Sequence, residues 1–241
     1  MKLFQRLLTI VFFSLAVAIA PLHAAKTNSV STYLPAGKPD AIALLAPSPL
    51  PGSPEQAADM DEVRNVHSAC TTNEAALAFS EKKFSVFNFA PVVGSFFQPD
   101  KLPKTEAFFK RVKTDASIIT DSAKNHWQRP RPFVTDTNLA SGELEKSFSY
   151  PSGHSTEATV LALVLADMIP DKKDAILAEG RAIGWHRVEI ARHYSTDIYA
   201  GRVFAQAIVR ELMASPDFQR DFAESKAEIA LAQTAIAAAK N

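Results

Sequence analysis

The stretch "STEATVLALVLADMI", Ser155 to Ile169, constrains the fold more than any other, because at 3.6 residues per turn it is apolar on almost every side. A helix with no polar face cannot lie on a surface, so other helices must surround it. The rest of the chain supplies them. Helical spacing with few glycines recurs over Glu55 to Ala69, Thr72 to Phe84, Pro103 to Trp127, Asp171 to Arg192, Thr196 to Ala214 and Asp217 to Ala239. Strand-like alternation is nearly absent, and Pro170 closes the central helix. The last stretch is rich in alanine and glutamate, favours helix by propensity and is expected to pack across the outside. The pattern predicts an all-α, single-domain helical bundle over residues 55–241, without internal repeats.

Two segments precede the bundle. Lys2 and Arg6 stand ahead of an apolar run from Leu7 to Ala20, followed by Pro21 and small residues. The run is short for a membrane span and reads as a signal peptide over residues 1–24, so the mature protein is expected in the periplasm with no membrane span of its own. Residues 25–54 ("YLPAGKPD", "APSPLPGSP") are too proline-rich for a helix interior or a central strand. They predict an extended Pro-rich arm that wraps its own domain or a neighbouring subunit, which leaves room for a homo-oligomer. Cys70 is the only cysteine, so no intrachain disulfide can form and stability rests on the core, in which Cys70 is expected as a small buried hydrophobe. The run "FSVFNFAPVVGSFF", Phe84 to Phe97, is expected to belong to that core as well.

Without Lys2 and Arg6 the chain carries 24 basic against 26 acidic side chains. A near-neutral surface courts neither nucleic acid nor an anionic membrane, so any affinity for phosphate must be local. Three clusters could provide it. In "KNHWQRPRPF", Lys124 sits near a helix end and Arg131, between Pro130 and Pro132, on a stiff extended continuation that would aim its guanidinium; with Arg129 it could equally be a solvated helix end. In "YPSGHSTEATV", Ser152 and Gly153 would begin the buried helix, where free N–H groups and the helix dipole favour an anion, with His154 in reach. In "HRVEIARHYSTDIYAGR", Arg187 and His193 would point apart on one unbroken helix. A break, with Ser195 capping a new helix, puts His193 in the connection, where Asp197 can accept a hydrogen bond from one ring nitrogen and free the other. Two histidines, an orienting acid, several cations and a helix start make a phosphate site with a nucleophile. No carboxylate cluster or H-E-x-x-H pattern suggests a metal.

These residues resemble the signature of the type 2 phosphatidic acid phosphatases and vanadium haloperoxidases: K-x6-R-P, then P-S-G-H, then S-R-x5-H-x3-D. Lys124 to Pro132, Pro151 to His154, and Arg187 through His193 to Asp197 match it at family spacing. "KNHWQRPRPF", "SYPSGHS" and "YLPAGKPD" are most similar to the bacterial class A nonspecific acid phosphatases. The resemblance implies a phosphomonoesterase of broad specificity that needs no cofactor or metal, acts on small phosphate esters and is inhibited by orthovanadate. It further implies that His193 attacks phosphorus and forms a phosphohistidine, Asp197 holds its tautomer, and His154 protonates the leaving group and then activates water. Lys124, Arg131, Ser152, Gly153 and Arg187 would hold the equatorial oxygens. His186 departs from the pattern, since the family usually has serine before the arginine. A vanadium-dependent haloperoxidase and a lipid phosphate phosphatase using the same site are the alternatives that the resemblance admits; a helical protein that only captures phosphate would need no histidine pair.

Overall fold

The computed structural model describes residues 30–239, so the segment read as a signal peptide lies outside the described residues. Within them the chain is helical and has no strand. The helices are α1 (Ala41–Leu44), α2 (Pro54–Ala69), α3 (Thr72–Ser80), α4 (Ala90–Val93) and α5 (Pro103–Trp127). They are followed by α6 (Pro132–Thr135), α7 (Gly153–Met168), α8 (Lys173–Glu189), α9 (Ser195–Ala214) and α10 (Pro216–Ala239). A 3-10 turn over Glu81–Lys83 follows α3 and bears on the site.

The all-apolar helix is α7, and α5, α8 and α9 enclose it. Leu161 and Leu165 are fully buried, and each such leucine contributes about 1.5–3 kcal/mol of burial energy. Close approach of α8 depends on Gly180, where a Cβ would stand 2.6 Å from that of Ala162. A larger residue there would push the two helices apart. On the outside α10 covers α5 and α9, with Phe218 and Ile229 buried in the same core. Phe84, Phe89, Phe96 and Phe97 of the aromatic run belong to that core, and Phe87 packs against it from its edge.

A second, smaller apolar cluster of Met60, Val63, Phe133, Leu139, Val188, Ala191, Tyr194 and Ile198 supports the connection between α8 and α9, with Trp185 packed against it. Cys70 is only half-buried at the end of α2, not a core residue, because the chain turns there directly into α3.

The arm does wrap the body, though it is not extended throughout, since Asp40 caps the single turn α1 by accepting the N–H groups of Ile42 and Ala43. Its main anchor is Asp115, a buried carboxylate on α5 that accepts the backbone N–H groups of Thr32 (2.7 Å), Tyr33 (2.7 Å) and Leu34 (3.2 Å). The Tyr33 hydroxyl donates to Asp221 of α10 at 2.8 Å and accepts from Arg111 at 2.7 Å. Burial above all pushes the Tyr33 phenol up to about 12, so it stays a donor.

Candidate active site

The helix starts of α7 and α9 converge because Gly201 lets them touch. A Cβ at Gly201 would lie 2.9 Å from the Ser152 carbonyl oxygen and 3.0 Å from Ser155 Cβ. The Ser152 N–H donates to the Asp197 carbonyl at 3.0 Å, and the Ser152 hydroxyl accepts the Ser155 N–H as N-cap of α7. Two positive helix ends therefore face one small volume. Gly153 opens α7, and a Cβ there would come within 3.8 Å of Lys124 Cε, so the lysine stem runs alongside this helix start.

His193 reaches the same volume through a left-handed turn. After α8 ends at Glu189, Ala191 adopts φ 52°, a conformation that costs an alanine about 1 kcal/mol. The N–H groups of Arg192 and His193 both donate back to the Arg187 carbonyl, at 2.8 and 3.2 Å. The ring of His193, 2% exposed, lies with Nδ1 3.3 Å from Asp197 Oδ2 and Nε2 3.2 Å from Arg131 Nη1. Arginine can only donate, so Nε2 carries the lone pair and Nδ1 the proton. Burial, then Arg131, Lys124, Arg187 and His154, holds its pKa well below the ordinary histidine value.

Asp197 is itself held on all sides. Oδ2 accepts the Ser149 hydroxyl at 2.5 Å and the Tyr194 N–H at 2.9 Å, and Oδ1 accepts Arg129 Nη1 at 2.6 Å. The Tyr194 residue, rather than Ser195, is thus the N-cap position of α9, and the Ser195 hydroxyl donates instead to Asp59 and Glu62. Arg129 is not a solvated helix end. Its guanidinium lies buried between Asp197 and Asp59, 2.6 Å from each, over the ring of Tyr194. A buried arginine loses several kcal/mol of hydration, which two carboxylates and a ring face offset together.

The other cations lean on the segment before α7. Lys124 Nζ donates to the carbonyls of Phe148 (2.7 Å) and Ser149 (3.2 Å). Burial and then Arg131 push its ammonium down to about 7. Arg131, on the extended stretch between its two prolines, donates to the carbonyls of Ser147 (2.7 Å) and Arg192 (2.8 Å). Arg187 pairs with Glu145, which also meets Arg192 at 2.9 Å, and burial lowers the Arg187 guanidinium to about 10.

His154 lies in the first turn of α7 and forms part of a cleft of about 510 Å³ with Phe84, Lys113 and Glu157. Its Nε2 meets the Glu81 carbonyl at 3.2 Å and its ring lies 5.3 Å from that of Phe84. Burial, followed by Arg187, holds its pKa well below the ordinary value, while the bond to Glu81 opposes the shift. His186, in the place of the usual serine, is an ion-pair partner of the buried Glu81, at 2.8 Å. The charges of Arg131, Lys124, Arg187 and His154 all act on the His193 ring, while Ser152 and Gly153 form the start of α7.

Known proteins share much of this sequence. Residues 114–221 match the PAP2 superfamily. An acid phosphatase of Zymomonas mobilis is 32% identical over 221 residues, spanning 88% of this chain and 83% of that protein. Non-specific acid phosphatases of Salmonella typhimurium and Providencia stuartii are each 30% identical and are spanned over 91% and 92% of their length. The chain belongs to the bacterial acid phosphatases of the PAP2 superfamily. It is accordingly a phosphoric monoester hydrolase.

In this phosphatase several residues of the site carry no local signature. Asp59, Glu81 and Glu145 reach it from distant segments, and Ser149, although inside the matched "SYPSGHS", shows its part only through its hydroxyl on Asp197. Among the described residues the remaining histidines stand apart: His67 bonds the Glu189 carbonyl at 2.7 Å, and the exposed His126 lies edge-on to Trp127.

Proposed function

We propose that this acid phosphatase is a periplasmic, metal-independent enzyme that hydrolyses small phosphate monoesters through a phosphohistidine. The observation that carries the reading is His193, with a protonated Nδ1 toward Asp197 and a lone pair on Nε2 among buried cations. Nε2 attacks phosphorus as the bond to the ester oxygen breaks, and His154 gives that oxygen its proton. Neutral His154 then takes a proton from water, whose oxygen attacks the phosphohistidine, releasing phosphate and restoring His193. Lys124, Arg131, Arg187, Ser152 and the Gly153 N–H hold the equatorial oxygens, supplying fixed positive charge where the transition state spreads its negative charge. The signal-like residues 1–24 support export.

The direction of the pH dependence follows from the same groups. A depressed pKa keeps His193 neutral and nucleophilic into the acid range, while His154 is protonated only at acid pH. Lys124 is fully charged only below about 7. The value of kcat/KM should therefore fall as pH rises through the His154 pKa and then that of Lys124. The test is acid quenching with a labelled ester, followed by recovery of the phosphohistidine. His193→Ala should abolish turnover and trapping while the far-ultraviolet dichroism is retained, and neither chelator nor added divalent metal should change the rate of the unaltered enzyme. A His193→Ala variant with near-normal turnover, or loss of activity in chelator restored by metal, overturns the reading.

A further inference from the structure

Glu81 stands where a carboxylate is ordinarily unwelcome. It is 2% exposed and follows the last turn of α3, where the helix dipole repels negative charge. Its N–H donates into that turn, to the carbonyls of Leu77 and Phe79. Its side chain crosses to α8 and meets His186 Nδ1 at 2.8 Å. The carbonyl of the same residue accepts the Phe84 N–H at 3.1 Å and lies 3.2 Å from His154 Nε2. The turn that Glu81 starts also delivers the Phe84 ring against His154. Both contacts to His154 therefore come from one three-residue turn and the residue that follows it, and the turn's first residue is pinned to α8 by a buried ion pair.

We infer that Glu81 and His186 form a positioning pair for His154: the ion pair fixes the Glu81 carbonyl, which holds the His154 ring in the orientation for proton delivery to the leaving group. The inference rests on the acid role proposed for His154. Donation from Nε2–H to the carbonyl leaves Nδ1 to exchange the proton with the ester oxygen. The charged groups around His186 are Glu81 on the turn, Glu179 and Glu189 on its own helix, and Glu74 on α3. Burial opposes its charge, but the bond to Glu81 and these carboxylates raise its pKa above the ordinary value, so His186 keeps its charge to higher pH than a free histidine.

A misplaced acid harms esters whose leaving group needs a proton and spares those that depart as stable anions. The experiment measures kcat/KM, which covers steps through departure of the alcohol, for an alkyl phosphate and for p-nitrophenyl phosphate. His186→Ser and Glu81→Gln are each expected to lose about tenfold on the alkyl ester, the equivalent of one lost hydrogen bond to a charged group, and less than about twofold on the nitrophenyl ester. His186→Asn, whose amide can take the place of Nδ1, should recover most of the loss. His154→Ala serves as the reference and should show the same selectivity more strongly. If His154→Ala is selective and the pair variants lose both substrates equally, or neither, the positioning role is overturned. If His154→Ala itself shows no selectivity, the acid role fails instead. Should His186→Ser not fold, Glu81→Gln, which keeps the volume and a hydrogen bond, carries the same comparison.

Discussion

The two histidines of the site are held in opposite ways. His193 sits in a closed network: Asp197 accepts from its ring, from Ser149, from the Tyr194 backbone and from Arg129, and Arg129 passes the restraint on to Asp59 in α2. His154 has one hydrogen bond to a main-chain carbonyl and one aromatic neighbour, and lies along a cleft. The difference matches the work proposed for them. A nucleophile must present one nitrogen in one tautomer throughout the cycle, whereas a group that first gives a proton and then takes one must accommodate two partners in turn. Rigidity is concentrated at the histidine proposed to form the covalent bond.

That contrast can be broken from the His193 side, and the largest effect is expected at Asp197. Replacement by Asn removes the acceptor that fixes Nδ1–H, and kcat should fall about 10³- to 10⁴-fold, as for the orienting acid of a triad. Steady-state assays at matched folded fraction measure it, and a loss below tenfold would mean that the tautomer is fixed by other groups. Next is Arg129→Gln, which leaves Asp59 and Asp197 buried without their shared cation. Stability should drop by about 3–5 kcal/mol, read from the denaturant midpoint. A drop under 1 kcal/mol would show that water reaches the pair. The smallest is Ser149→Ala: one hydroxyl leaves Asp197, three other donors remain, and about 1 kcal/mol of stability should go. If this variant lost as much activity as Asp197→Asn, the network would depend on Ser149 and not on redundancy.

Much of the fold was legible. The helix α5 has the bounds that its spacing predicts, since Pro103 suits a first helical position and the prolines after Trp127 forbid continuation. The expected stretch from Thr72 to Phe84 instead stops at Ser80, because Glu81 turns toward His186, an interaction between segments 105 residues apart that leaves no local pattern. The stretch from Asp171 to Arg192 likewise ends at Glu189, where Ala191 takes a left-handed conformation that a glycine would have advertised. In the site, His154, His193 and the cations Lys124, Arg131 and Arg187 could be singled out from spacing and resemblance. Arg129 could not, because a cation just before a proline looks the same in solvent or between two carboxylates until Asp59 is brought 70 residues across the chain.

The arm has a consequence for how such a protein comes into being. Tyr33 bonds Asp221 in α10, 188 residues later in the chain. A ribosome makes the first partner well before the second. Tyr33 and its anchor on α10 can therefore come together only after α10 has been made, and the arm must wait through the synthesis of the helices between them before its fastening is complete.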